Sequence, residues 1–309
     1  MDINRANPDN WNRDIESSVS YYNNWFMTYA PPTFRKAREK SVESVKNALS
    51  LIKSVTDLDA SVLMSSPSLV EVLRQMTCPP LASDRLAGLA QVPPSVIKSF
   101  ASGKARESTK REYAVKIMDV IAELLDTDLI SWIDQDGLPT QRQMELAALV
   151  VSDRLCGAMT DPLIRNEQEK RQIRAMENFL ESKGYVKAVP KTFKELRPGE
   201  YALHLNVKVR AGNGFVKIPG DVSIQPKSAR EGSLPILIEA KSAGDFTNVN
   251  KRRKEEATKV RQLRATYGEV RFVLFLGGYF DAGYLGYEAA EGIDWIWEHR
   301  ISDMEKLGL

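Results

Sequence analysis

The hydrophobic pattern of this 309-residue chain changes character near residue 160. Before that point apolar residues recur at helical spacing and β-branched alternation is nearly absent, which predicts a helical region. After residue 190, four segments predict strands: YALHLNVKV, GFVKIPGDVSI, LPILIEA and VRFVLFLG. We therefore expect a helical domain over residues 1–160 and an α/β (α+β) domain over residues 161–309, whose central mixed sheet is flanked by helices.

Proline and glycine mark the expected helix ends. Pro31–Pro32 predicts a break within the helical region, and Pro162 predicts the start of a helix that Gly184 ends. A further helix covers residues 250–267, with Gly268 after it, and residues 288–300 predict a last helix.

Composition excludes several classes of protein. Apolar residues make up 43% of the chain and charged residues 27%, which is ordinary for a globular protein. Cys78 and Cys156 lie far apart without CxxC spacing, so neither a zinc site nor a disulfide framework is indicated. The chain has no stretch apolar enough to cross a bilayer and no signal-peptide pattern at its start. We expect a cytoplasmic protein with no membrane partner.

One apolar strand ends in charged residues, since ILIEAKS places Glu239 and Lys241 at its end. Side chains alternate along a strand, so both point to the same face. Asp221 lies 18 residues before Glu239 (239 − 221), at the end of GFVKIPGDVSI, where an adjacent strand would return it beside Glu239. Two such carboxylates supply oxygen ligands that suit Mg²⁺.

These residue types fit phosphodiester hydrolysis. A divalent cation neutralises the charge that develops on the phosphoryl oxygens, while a deprotonated water attacks in line with the leaving oxygen. Lys241 would orient or help deprotonate that water, or stabilise the pentacovalent phosphorus. The sequence therefore predicts a metal-dependent nuclease centre.

A basic segment follows this strand. Residues 250–264 hold seven basic residues and two glutamates, although the net charge of +2 alone does not predict a polyanion partner. A solvated helix face also explains such a run. Because basic and amide side chains hold phosphates or reach base edges, we expect DNA contacts here. The candidates are Asn248, Asn250, Lys251, Arg252, Arg253 and Lys254.

The segment RLAGLAQVPPSVIKSFASGK, residues 85–104, resembles a repressor-type helix-turn-helix. Ser95 and Lys98 would lie on its recognition helix and contact DNA. Many helical hairpins share this pattern, and Pro93–Pro94 is more rigid than the usual turn. Helical packing or dimerisation is the alternative role for this segment.

Asp221 followed by Glu239-Ala240-Lys241 resembles the PD-(D/E)xK nuclease signature, with Gly220 where the signature has proline. The stretches ILIEAKSAGDFTNVNKRRKEEATK and LFLGGYFDAGYLGYEAAEGIDWIWEHRI resemble the XamI-type Type II restriction endonucleases, most densely from about residue 161 onward. The resemblance implies a PD-(D/E)xK core and Mg²⁺-dependent cleavage of double-stranded DNA at a short palindrome, such as GTCGAC. It also implies a cognate DNA methyltransferase as functional counterpart in a restriction-modification system.

Many nucleases of this superfamily carry a metal-binding glutamate on the helix before the core strands. Glu169 stands four residues before Ile173, on a stripe with Met176 and Leu180 that marks a buried helix face. We expect Glu169 to join Asp221 and Glu239 as a metal ligand, together with the backbone carbonyl of Ala240. A solvated residue near the helix start is the alternative, and Glu167 is the weaker substitute.

A palindromic target is read most simply by a two-fold symmetric protein, so we expect a homodimer. The two histidines, His204 and His299, are interpreted as structural. Two other functions stay open: a repair or junction-resolving nuclease of the same fold, and a non-catalytic helix-turn-helix regulator. Intact Asp221, Glu239 and Lys241 argue against a degenerate nuclease core.

Overall fold

A computed structural model describes residues 2–51, 58–133, 138–212, 214–230, 232–247 and 253–309. The chain divides into two compact units, one of residues Ala30–Leu163 and one that joins the residues up to Tyr29 with Ile164–Leu309. The predicted border at residue 160 lies close to the division at residue 163. The residues up to Tyr29, which the sequence placed in the helical domain, cluster with the C-terminal unit instead.

The unit of residues Ala30–Leu163 is helical within its described residues. Fully buried Trp132, Phe100 and Met76 lie in its apolar core. Helices α1 and α7 each contribute residues to both units. The helices are α1 Trp11–Leu51, α2 Ala60–Ser65, α3 Val70–Leu73, α4 Ser83–Leu89, α5 Pro94–Ala101, α6 Glu107–Glu123 and α7 Gln141–Ser182. In the described part of the chain, no helix combines the length and the apolarity needed to cross a membrane.

The predicted helix breaks at proline are wrong. Helix α1 continues through Pro31 and Pro32, and α7 begins at Gln141 and continues through Pro162. Proline has a φ angle that a helix accepts; its cost, about 3 kcal/mol, comes from the lost N–H donor and a steric clash. Buried residues on the preceding turns of α7, such as Cys156 and Thr160, offset part of that cost. Gly184 follows α7 with a φ of +75°, as predicted.

The other unit contains a mixed sheet of six strands within the described residues, ordered β1-β2-β3-β4-β5-β6. The strands are β1 Val186–Lys187, β2 Glu200–Ala211, β3 Gly214–Ile224, β4 Ile236–Ala243, β5 Phe272–Gly278 and β6 Asp294–Trp297. Strand β3 pairs antiparallel with both β2 and β4. The pairs β1–β2, β4–β5 and β5–β6 are parallel. With helices α8, Arg253–Tyr267, and α9, Ala282–Ala290, this confirms an α+β unit with a central mixed sheet.

Helices cover both faces of the sheet. On one face Leu237 and Leu274 pack with Val260 and Leu263 of α8. On the other, Ile238 and its neighbours pack with Met176 and Leu180 of α7. Because β4 and β5 are buried on both sides, they are the continuous apolar runs seen in the sequence.

The predicted last helix over residues 288–300 is wrong. Helix α9 ends at Ala290, strand β6 follows, and 3₁₀ turns cover Glu298–Leu307. All four residues of β6 are buried. Trp295 and Trp297 pack on the α8 face and Ile296 packs on the α7 face, so the pattern is that of a strand buried on both sides.

Buried carboxylates attach the N-terminal segment to this unit. Asp294 accepts the backbone N–H groups of Ile3, Asn4 and Arg5 at 2.6, 3.0 and 3.1 Å. Arg300 donates to both oxygens of Asp14, at 2.6 and 2.9 Å. Asp14 is 2% exposed, and a buried carboxylate without its cation is strongly destabilising. These bonds explain why the residues up to Tyr29 belong to the sheet-containing unit.

Gly278 at the end of β5 should not tolerate a side chain. Its φ is +95°, and an added Cβ would lie 2.1 Å from the carbonyl oxygen of Ala243. We expect Gly278→Ala to lower the free energy of unfolding by about 3 kcal/mol or more, measured by urea unfolding followed by circular dichroism. Gly286→Ala in α9 is the control, because its Cβ meets Trp11 at an ordinary 3.9 Å and alanine favours the helix. A Gly278→Ala protein as stable as the control would contradict this prediction.

Candidate active site

The end of the β3–β4 ladder brings Asp221 and Glu239 together. The ladder runs from Ile224↔Ile236 to Val222↔Ile238, so Asp221 and Glu239 are the next two positions along it. Asp221 Oδ2 accepts the backbone N–H of Ala240 at 2.8 Å. That bond fixes one oxygen of Asp221 beside the strand that carries Glu239 and Lys241.

Four charged side chains form a buried ion cluster between β4 and α8: Glu239, Lys241, Glu256 and Lys259. Glu239 Oε1 lies 2.6 Å from the Nζ atoms of both Lys241 and Lys259, and Lys241 Nζ lies 2.8 Å from Glu256 Oε1. Glu239 is 5% exposed and Glu256 is fully buried. Alternation along β4 directs Glu239 and Lys241 to the face of the sheet that α8 covers. This confirms the prediction that both side chains point to the same face.

Glu256 and Lys259 were not predicted as site residues from the sequence. They stand three positions apart on α8, so they share one side of that helix. The available signal was the pair of opposite charges at this spacing in the helix that follows the strand. It was hidden among the other charges of a basic segment.

The ion cluster sets the charge states of its members. Burial alone would raise the pKa of Glu239, but the ammonium groups of Lys241 and Lys259 outweigh it and lower that pKa. Burial would lower the pKa of Lys241, yet the carboxylates of Glu239 and Glu256 outweigh it and raise that pKa. Lys241 is therefore an ammonium group at neutral pH.

Asp221 stands in a different electrostatic environment. Burial raises the pKa of its carboxyl group, and the carboxylates of Glu239 and Glu169 raise it further; the N–H of Ala240 and the charge of Lys241 lower it. The second oxygen of Glu239, Oε2, is buried and has no hydrogen-bond partner among the described residues. The carboxylate of Asp221 and the unused buried oxygen of Glu239 are oxygen donors of the kind that a hard divalent cation takes.

Glu169 does not lie on the buried face of α7, so its predicted place on that face is wrong, while its role as a metal ligand stays a prediction. Ile173, Met176 and Leu180 are buried as expected, but Glu169 is exposed. Near the site the buried face of α7 is polar and passes through Gln168 and Gln172. The spacing of apolar residues in the sequence could not reveal that the buried face of α7 becomes polar near the site. Glu169 nevertheless lies close enough to Asp221 to shift its pKa.

Gln172 joins α7 to the strand that carries the site. Its Nε2 donates to the carbonyl oxygen of Lys241 at 3.2 Å and of Phe275 at 3.4 Å. The side chain is 1% exposed. Glu167, the weaker substitute for Glu169, is paired with Arg174 on the surface of the same helix.

The predicted DNA contacts are only partly within the described structure. Asn248, Asn250, Lys251 and Arg252 lie outside the described residues. Arg253 and Lys254 begin α8, but their side chains lie outside the description as well.

The segment that resembles a helix-turn-helix forms two helices, α4 and α5. Gln91 in the turn has a φ of +52°. Ser95 and Lys98 are exposed on α5, while Ile97 and Phe100 are buried beneath them. Their contact with DNA stays a prediction.

Comparisons with known proteins give a consistent set of relatives. The model of the XamI restriction endonuclease family matches residues 53–297. The Type II restriction enzyme SalI of Streptomyces albus G is 44% identical over 315 residues, which cover 99% of each chain. The Type II restriction enzyme XamI of Xanthomonas campestris pv. amaranthicola is 25% identical over 214 residues, 67% of this chain and 73% of that protein.

Among solved structures, protein VC1899 from Vibrio cholerae aligns over 90% of this chain and 55% of that chain. The identity is 12% and the TM-score is 0.29. A similarity this low carries no argument about the fold.

The ion cluster predicts a strong coupling between Lys241 and Glu256. Lys241→Met leaves fully buried Glu256 without its cation, so we expect the free energy of unfolding to fall by about 3–5 kcal/mol. Adding Glu256→Leu should recover most of that loss, because the uncompensated charge is removed. Urea unfolding of the two single variants and the double variant measures the coupling. Additive losses would show that the two charges do not depend on each other.

Proposed function

The chain belongs to the XamI restriction endonuclease family and is a Type II site-specific endonuclease, and we propose that Asp221, Glu239 and Lys241 form its PD-(D/E)xK catalytic centre. The observation that carries the proposal is the position of Asp221 and Glu239 side by side where the β3–β4 ladder ends, with the Lys241 ammonium 2.6 Å from Glu239. Acidic and basic groups thus meet where β3 and β4 stop pairing, and such groups together support phosphodiester hydrolysis.

The donor set supports a divalent cation, for which we propose Mg²⁺. Asp221 and Glu239 would hold it, with the carbonyl oxygen of Ala240 and with Glu169 as further ligands. The unused Oε2 of Glu239 fits this role, because a buried carboxylate oxygen without a partner is costly. When bound, such an ion neutralises charge that develops on the phosphoryl oxygens and lowers the pKa of a bound water.

Lys241 acts as a fixed positive charge in this proposal. Its raised pKa keeps the ammonium group protonated, so it orients the attacking water by donating a hydrogen bond and stabilises the pentacovalent phosphorus. It does not remove the proton from that water while Glu239 and Glu256 hold it. Glu256 positions the ammonium group from the α8 side, at 2.8 Å.

The substrate is double-stranded DNA, and we propose a short palindromic site, GTCGAC-like, as the family resemblance implies. The proposed phosphate and base contacts come from residues 248–254, which follow the catalytic strand, and from Ser95 and Lys98 of the helical unit. A cognate DNA methyltransferase would protect the same site in the cytoplasm. These details rest on the resemblance and on the place of the basic segment in the sequence, directly after the catalytic strand.

Asp221→Asn is the direct test of the catalytic centre. Asparagine keeps an oxygen that accepts the N–H of Ala240 but loses the negative charge. We therefore expect a folded protein whose Mg²⁺-dependent cleavage falls at least about 1,000-fold. Wild-type protein should cut a long unmethylated linear duplex that contains GTCGAC into discrete fragments, seen on a gel and sequenced at their ends.

Asp9→Asn, an exposed aspartate in the same unit, is the matched control and should cleave like wild type. Binding of Asp221→Asn to the duplex in Ca²⁺ confirms that the variant still recognises DNA. Cleavage by Asp221→Asn within tenfold of wild type would contradict the proposed role.

A homodimer should be visible by light scattering. We expect a mass of twice 34.7 kDa for the protein bound to its specific duplex, after the mass of the DNA is subtracted. A mass of one copy, both free and on specific DNA, would exclude the dimer.

A further inference from the structure

His204 lies in the catalytic region rather than in the core. One ligand atom from each of Glu169, His204 and Asp221 lies within 4.8 Å of the others. The register of β2 and β3, with Leu203↔Val222 and Leu205↔Gly220, places His204 directly opposite Asp221. An imidazole and two carboxylates therefore converge from β2, β3 and α7.

The backbone of β2 changes its course at this residue. His204 has a φ of +50°, a conformation that costs a residue other than glycine roughly 1–2 kcal/mol. Ala202 packs on the α8 face of the sheet, so plain alternation would also direct residue 204 to that face. His204 instead lines a surface pocket with Glu169, Ile173 and Glu177 of α7. The left-handed backbone conformation of His204 thus turns its imidazole toward Glu169.

The charges around this position favour a cation. Glu169 and Asp221 each place a carboxylate oxygen within 4.8 Å of an imidazole nitrogen of His204, and Glu177 lines the same pocket. Of the two basic residues at this pocket, Arg174 is paired with Glu167 and Lys170 is exposed to solvent. The positive charge of Lys241 is shared by Glu239 and Glu256. Glu239, 5% exposed, also keeps Oε2 without a hydrogen-bond partner among the described residues.

We propose that His204 is a nitrogen ligand of a divalent cation that Asp221 and Glu169 also bind. This cation position shares Asp221 and Glu169 with the position beside Glu239 and lies on the α7 side of it. The inference deepens the proposed function and rests on it for the place of Asp221 in the catalytic centre. An imidazole ligand suits transition metals better than Mg²⁺, which prefers oxygen ligands. The position should therefore bind Mn²⁺ more tightly than Mg²⁺.

Pulsed electron paramagnetic resonance of bound Mn²⁺ tests this ligand without any cleavage reaction. The full-length, tag-free protein is loaded with Mn²⁺ in the absence of DNA, and nitrogen-14 modulation from a coordinated imidazole is recorded. The chain has two histidines, so a histidine signal comes from His204 or His299. We expect the signal in wild type and in the His299→Gln control, and its loss in His204→Asn.

Asparagine suits position 204 as a replacement because it accepts positive φ more readily than most residues. His204→Gly provides a second variant with the same backbone freedom and no ligand atom. Both should retain the wild-type circular dichroism spectrum. Titration with Mn²⁺ should show a dissociation constant about 10- to 100-fold larger in each variant than in wild type. Changes to the residues around other protein metal sites weaken metal binding by a similar factor.

Three results would overturn the inference: absence of Mn²⁺ binding in wild type, bound Mn²⁺ without imidazole modulation, or modulation that persists in His204→Asn. The result is separate from the test of the nuclease centre. DNA cleavage without imidazole modulation would refute the role of His204 and leave Asp221, Glu239 and Lys241 in place. Imidazole modulation in a protein whose Asp221→Asn variant still cleaves DNA would refute the proposed centre and retain the cation position.

Discussion

The ion pairs between β4 and α8 are the constraint on which the catalytic region depends. Two carboxylates and two ammonium groups lie where the sheet meets a helix, and two of the four residues, Glu239 and Glu256, are almost or fully buried. A buried charge is tolerated only if its partner stays close. Helix α8 therefore has one favourable position over the sheet, and that position holds Lys241 beside Glu239.

The second constraint is where the strands stop pairing. The β3–β4 ladder ends after Val222↔Ile238, although both strands continue, so Asp221 and Glu239 lie within the sheet where these two strands stop pairing. In β2, the left-handed residue His204 changes which face the side chains occupy: Tyr201 packs on the α7 face and Leu205 on the α8 face. The same irregular region therefore leaves Asp221 partly buried and close to Glu169 of α7.

The N-terminal segment and α7 complete this unit through polar contacts. Asp294 binds the backbone of the N-terminal segment, Arg300 pairs with buried Asp14, and Gln172 of α7 binds the carbonyl oxygen of Lys241. Each contact satisfies a group that would otherwise be buried without a partner. The residues up to Tyr29 therefore belong to the sheet-containing unit, although their sequence predicts helix as strongly as that of the helical unit.

The sequence alone determined the features that depend on neighbouring residues. Strand alternation placed Glu239 and Lys241 on one face, the glycines at 184 and 268 ended their helices, and the motif with its flanking stretches indicated the family. Prolines at 31, 32 and 162 and the short strand β6 were misread, since local patterns do not include the burial that overrides them. Only the tertiary structure decided the partners of Lys241, the exposure of Glu169 and the place of His204, because these depend on register and packing between elements distant in the chain.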